Sequence, residues 1–153
     1  MSFRGAGVLI VHKQLILLGL RKFNPFKYHW TVPGGKCNRG ESSYRAAFRE
    51  LREEVINTEQ TKLKGIIAGK YKITIPFLFT FTVYIVKINH KIKLKIRQPD
   101  EFLVLRWFSM NVLPGSLHPG IMLLINAVKN KLYTEINKEV VLFNSYRYRE
   151  NKV

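Results

Sequence analysis

Carboxylates are scarce in this sequence. Ten Asp and Glu stand against 26 Lys and Arg, a formal net charge of +16 over 153 residues. A field of that sign attracts anions such as nucleotides, RNA or an acidic surface. It gives the sign of a partner and not its identity, and a Lys-, Ile- and Asn-rich codon pool accounts for it equally well. Cysteine is almost missing: Cys37 alone excludes an internal disulfide and fits a reducing compartment. Long apolar runs are missing too. The stretches 5–11 and 73–86, the second broken by Pro76 and three threonines, are too short to cross a bilayer as helices. No small-residue cleavage site follows the first. The expectation is a cytoplasmic chain with no membrane partner. There is no repeat, low-complexity stretch or linker, so one domain over residues 1–153 is expected, with enough chain to bury its own core.

What is present alternates between the periods of strand and helix. Residues 5–12 and 14–19 are apolar runs broken at Lys13-Gln14, which predicts a hairpin. Trp30-Thr31-Val32 is a strand stub, and Pro33-Gly34-Gly35 opens a loop running to Gly40. Tyr44, Ala47, Phe48, Leu51 and Val55 recur at helical spacing and predict a helix over 43–56, capped by Ser42 or Ser43 and ended by Asn57. Residues 64–72, 74–87, 91–97 and 102–108 read as strands, with Asn89-His90 a turn. Residues 120–131 read as a second helix, and Val140 to Phe143 as a further strand. A mixed sheet with one early and one late helix predicts an α/β or α+β sandwich.

The few acids are not scattered. Glu41, Glu50, Glu53 and Glu54 fall within one short stretch. At about 100° per residue, the three helical glutamates share one face beside the apolar stripe. Like charges at these spacings destabilise a helix by roughly a few tenths of a kcal/mol per pair. A divalent cation with a preference for hard oxygen ligands, Mg²⁺ or Mn²⁺, would convert that cost into binding. A solvated acidic face paired with Arg45, Arg49 and Arg52 is the plainer reading of the glutamates alone. Ahead of the helix, Gly34 and Gly35 let backbone approach a ligand, and Lys36 and Arg39 can neutralise phosphate oxygens.

Read together, Gly35, Glu41 after five residues, and Arg49-Glu50-Leu51-Arg52-Glu53-Glu54 after seven more resemble the Nudix box of the MutT-like hydrolases. Trp30 to Gly35 looks like the usual lead-in to that box. The match lapses where Ile56 stands for the family's Gly and Asn57 for its apolar residue. The resemblance implies an α/β/α sandwich with a mixed sheet. It implies attack of water on phosphorus to cut a diphosphate linkage in a nucleoside diphosphate derivative, either a nucleoside triphosphate or a nucleotide sugar. By position, it implies Glu50, Glu53, Glu54 and the Gly34 carbonyl as metal ligands. Arg49 would hold a box glutamate, Glu41 would orient the loop or contact metal through water, and Glu53 is the first choice of base. Asp100-Glu101 lies where some relatives place a further acid, and Arg21 where relatives hold substrate phosphate. Phe3, Arg4, Tyr28 and Trp30 are candidates for a base or sugar pocket.

The histidines His29, His90 and His118 show no metal-ligand spacing. Tyr146 to Arg149 interleaves aromatic and basic residues as nucleic-acid binders do, and a tail is the plainer reading. The charge keeps RNA open as a partner, through an RNA 5′-end pyrophosphohydrolase or decapping activity. A non-catalytic nucleotide-binding Nudix module is the third reading, and a homodimer is left open.

Overall fold

A computed structural model describes residues 2–57, 63–89, 91, 94–96 and 101–143. Asp100, His90 and the 146–149 segment lie outside them. The first strand, β1 (Phe3–His12), turns at Lys13-Gln14 into β2 (Leu15–Arg21), with Val11 opposite Ile16. Lys13 takes the left-handed conformation this tight turn demands, with φ 53°. Two short strands follow, β3 (Trp30–Thr31) and β4 (Gly34–Lys36), then helix α1 (Ser43–Glu54) and β5 (Val55–Asn57). A long hairpin of β6 (Leu63–Ile75) and β7 (Phe79–Ile88) comes next, then β8 (Leu94–Ile96), β9 (Phe102–Ser109), α2 (Pro119–Lys129) and β10 (Thr134–Phe143).

The main sheet runs β10-β6-β7-β1-β2-β3, with β4 also paired to β1 and β9 to β2. β1 and β7 are parallel and the other pairs antiparallel, so the sheet is mixed. β1 lies at its centre and is buried on both faces, which is why it reads as an unbroken apolar run. Strand alternation sends Ala6, Val8 and Ile10 to one face, beneath Ala47, Phe48 and Leu51 of α1. It sends Leu9 and Val11 to the other, beneath Ile121, Leu124 and Ile125 of α2. Helices on both faces make the expected α/β/α sandwich. Among the described residues no helix is long and apolar enough to cross a membrane.

Four local expectations are corrected. The loop expected from Pro33 to Gly40 is interrupted by β4, whose Gly34, Gly35 and Lys36 pair with Gly7, Ala6 and Gly5. The helix expected to reach residue 56 stops at Glu54. Val55 is extended at φ −129°, ψ 132°, while its N–H still reaches the Leu51 carbonyl. Two β-branched residues, Val55 and Ile56, favour the strand, and β5 pairs with β8 with no left-handed cap at Asn57. The hairpin turn falls at Pro76–Leu78 rather than near residue 73. The second helix spans Pro119–Lys129 and starts on His118, whose Nδ1 accepts from the Gly120 N–H at 3.1 Å. That histidine is a helix cap.

The β1–β4 contact is tight because glycine faces glycine. A Cβ on Gly7 would lie 2.6 Å from the Pro33 carbonyl oxygen, and one on Gly34 would lie 2.5 Å from the Ala6 carbonyl oxygen. Both obstacles are backbone, which cannot rotate away. Gly7→Ala and Gly34→Ala should each cost about 1–3 kcal/mol in urea unfolding. Gly115→Ala, where nothing lies within 4 Å, should stay within about 0.5 kcal/mol of the parent. Equal effects at all three positions would contradict the packing described.

Candidate active site

The site is assembled where β4, the loop after it and α1 meet. Ser42 starts the helix by accepting from the Arg45 N–H at 3.2 Å, which fixes the phase of every residue after it. Arg49 then points back over β4 and uses all five of its N–H donors. Nε donates to Glu41 Oε1 at 2.8 Å and Nη2 to Glu41 Oε2 at 3.0 Å, a two-pronged pair. Nη2 also reaches the Lys36 carbonyl at 3.0 Å, and Nη1 donates to Glu50 Oε1 at 2.8 Å and Glu53 Oε2 at 3.3 Å. Glu41 accepts a further bond from the Asn38 N–H at 2.8 Å. Four of the expected site residues are thus joined in one network, and Lys36 joins it through its backbone.

Two glycines let the acids approach. The Glu50 carboxylate lies against Gly35, where an added Cβ would sit 2.5 Å from its Cδ. Glu54 is 1% exposed, and its Oε2 accepts from the Gly34 N–H at 2.9 Å. The shared acidic face expected from the helical wheel is therefore graded, from buried Glu54 through half-buried Glu50 to Glu53, whose side chain is 43% exposed.

The electrostatics follow from that gradation. Arg49 holds the Glu41 carboxyl below its ordinary range through the hydrogen bond, against a smaller effect of burial. The carboxylates in turn keep Arg49 firmly charged. Burial pushes Glu50 up, Arg49 opposes it, and the charges of Glu53 and Glu101 add to the rise. Glu54 is pushed up to about 9, mainly by burial and then by the charge of Glu50; the Gly34 N–H lowers it and Glu101 and Glu53 raise it further. Glu101 is thereby within electrostatic reach of the helical acids, and its carbonyl accepts from the Lys22 N–H at 3.1 Å.

The other expected residues divide around this centre. Arg21 lies on the Glu101 side, near His118, whose pKa falls through burial first and then the Arg21 charge. Arg4 lies on the opposite side, where its carbonyl accepts from the Cys37 N–H at 2.9 Å. Arg39 is exposed in the loop. Trp30 is 9% exposed and packs on Phe108 in the core beneath α2; its indole is not open to a ligand. Phe3 and Tyr28 are exposed. Between Arg4 and the start of α1 a cleft of ≈160 Å³ includes Lys70, Lys72, Thr80 and Thr82 in its walls. Sequence reasoning passed over these four, although each pair is spaced i, i+2 on a strand and so shares a face.

The donor set fits a hard divalent ion in kind: carboxylate oxygens in excess of cations, one of them buried and starved of positive charge. Among the described residues no three acidic, His or Cys side chains already converge as a ligand group; Arg49 draws three of the glutamates to itself.

Comparison with known proteins comes down to one family model and a set of solved structures. The model of the NUDIX domain matches residues 1–125. A MutT NUDIX hydrolase from Burkholderia pseudomallei is 23% identical, with TM-score 0.63 over 84% of this chain and 98% of that one. A C. elegans Ap4A hydrolase, solved as a binary complex, is 21% identical, with TM-score 0.65 over 84% and 97%. A bifunctional NMN adenylyltransferase/ADP ribose pyrophosphatase from Francisella tularensis, complexed with AMP and an Mn ion, is 17% identical, with TM-score 0.66 over 85% of this chain and 42% of that one. These likenesses are likenesses of fold. No curated protein sequence matches the chain.

The buried Glu54 generates a pH dependence. Its folded pKa of about 9 lies above the ordinary 4.5, so between those values the native chain keeps a proton that the unfolded chain has released. Stability from this group is full below 4.5 and is lost as pH rises toward 9. In metal-free protein, the difference in urea midpoint between wild type and Glu54→Gln should therefore shift steadily against the wild type across that window. Parallel pH profiles for the two proteins would show that Glu54 does not titrate there.

Proposed function

The chain belongs to the Nudix family, and from that premise we propose that it hydrolyses a diphosphate linkage in a nucleoside diphosphate derivative, a nucleoside triphosphate or a nucleotide sugar, with Mg²⁺ or Mn²⁺ as cofactor. The observation that carries this reading is the single guanidinium of Arg49 holding Glu41, Glu50 and Glu53 beside the buried Glu54. Its neighbours in fold include an Ap4A hydrolase and an ADP ribose pyrophosphatase, both named for nucleotides joined through phosphate. A non-catalytic module would have no need to retain every box carboxylate, as this chain does.

Glu50, Glu53, Glu54 and the Gly34 carbonyl would hold the metal, which when bound neutralises phosphate oxygens and makes a water acidic enough to attack at neutral pH. The remaining steps belong to the chain. Glu53 is the most exposed of the three helical acids and its bond to Arg49 is the longest of the network at 3.3 Å. It is therefore the carboxylate with most freedom to turn and take the proton of the attacking water. Glu101, within electrostatic reach of Glu50 and Glu54, is the second acceptor. Arg49 and Glu41 are positioning residues, acting through the glutamates. Lys36, Arg39, Arg21 and Arg4 would draw in and orient the phosphate oxygens as point charges or forks.

The +16 charge supports an RNA 5′-end as the alternative substrate. Activity on 5′-triphosphate RNA with an affinity that collapses as salt rises would favour it over mononucleotides.

Glu53→Gln should lower kcat by about 10²–10⁴, the usual contribution of a positioned base, and leave KM nearly unchanged. Release in Mg²⁺ of phosphate or pyrophosphate from nucleoside triphosphates, of AMP and ribose 5-phosphate from ADP-ribose, and of mononucleotides from Ap4A reads the outcome. A variant as active as the parent would remove Glu53 from the proton-transfer role.

A further inference from the structure

The sheet extends past the start of α1, and its chemistry changes there. On β7 the residues facing α1 run Ile88, Val86, Tyr84, Thr82, Thr80, apolar beneath the helix and hydroxylic beyond it. Opposite them on β6, Lys72 pairs with Thr82 and Lys70 with Tyr84, while Arg4 of β1 pairs with Thr80. Alternation places Lys70 and Lys72 on the same face as Thr82. Ser43, the first residue of α1, closes the back wall and bonds the Tyr84 hydroxyl at 2.9 Å.

The result is the ≈160 Å³ cleft lined by three cations, three hydroxyls, Gly5 and Cys37. Among the described residues no carboxylate and no aromatic ring lines it. Among the described side chains no carboxylate pairs with Arg4, Lys70 or Lys72. Cations with hydroxyls and no stacking surface suit a phosphate and do not suit a nucleobase. Its place relative to the acids is fixed by β4. Gly35 touches the Glu50 carboxylate, and Cys37, in the cleft wall, stands two residues further on, roughly 7 Å at strand rise. That is farther than the neighbouring phosphorus atoms of one diphosphate.

We propose that this cleft binds a second phosphate, separate from the diphosphate that is cut, so that the preferred substrate is a nucleotide carrying an additional phosphate. The inference rests on the hydrolase reading for the position of the cut, but not for the existence of the anion site. Two sources share the chemistry: a longer phosphate chain, or a phosphate on the ribose.

Paired substrates separate them. Ap4A against ADP-ribose tests the chain, and NADPH against NADH tests the ribose. In at least one pair, kcat/KM should favour the phosphate-richer member by about tenfold, the size of one charge-assisted contact. In the double variant Lys70→Ala/Lys72→Ala that ratio should fall to within about threefold of unity. Both lysines are exposed, so the fold should survive, which circular dichroism would verify. Independently of catalysis, calorimetry in EDTA should show adenosine 3′,5′-bisphosphate binding more tightly than AMP to wild type, and equally with it to the variant. No preference in either pair together with no calorimetric difference, or a preference that the variant retains, would overturn the proposal. If none of the four substrates is hydrolysed, the hydrolase reading fails and the bisphosphate comparison still decides the cleft.

Discussion

Everything at this site depends on one side chain that makes no claim on substrate. Arg49 bonds three carboxylates at once, Glu41, Glu50 and Glu53, and each of its donors has a partner. Removing it would leave the acids to repel one another at close range in a partly desolvated pocket, where charge is costly. The planar fork matters as much as the charge. Glu41 takes both prongs of one edge, which orients the guanidinium so that the other edge faces Glu50 and Glu53. A lysine would supply the charge without that geometry.

The acids differ because the backbone differs beneath them. Glu54 is the last helical residue before Val55 turns into a strand, and it is enclosed between α1 and β4 with one N–H for company. Glu53, one position earlier, faces solvent. A step of about 100° around the helix separates a carboxyl enclosed by the fold from one open to solvent. Near-identical side chains on one helix thus meet two different environments, which is what the proposed roles of metal ligand and mobile base require.

Much of this is legible from residue order. The period of Tyr44, Ala47, Phe48 and Leu51 locates α1, and the spacing from Gly35 to Glu54 brings the box together. The part that is not legible is long-range. The pairing of Gly34–Lys36 with β1 depends on a strand thirty residues away in the chain, so Pro33 and the glycines read locally as a loop. The end of α1 was masked by Val55, whose apolar side chain continues the helical period while its backbone joins β5. Trp30 is a candidate for a base or sugar pocket by sequence, with core the plainer reading of an aromatic, and the sheet turns it inward against Phe108. The basic cleft needs three strands and a helix start to exist at all, and no window of sequence contains them.

The glycine-on-glycine contact between β1 and β4 lets the two strands meet main chain to main chain, with no side chain interposed. Exchanges of Val, Ile and Leu elsewhere in the core can therefore accumulate without changing how far β4, with the Gly34 N–H that bonds Glu54 and the Gly35 that Glu50 lies against, stands from β1. A fixed contact at this point and drift of the interior become compatible, which suits a fold shared with a structure only 17% identical to this chain.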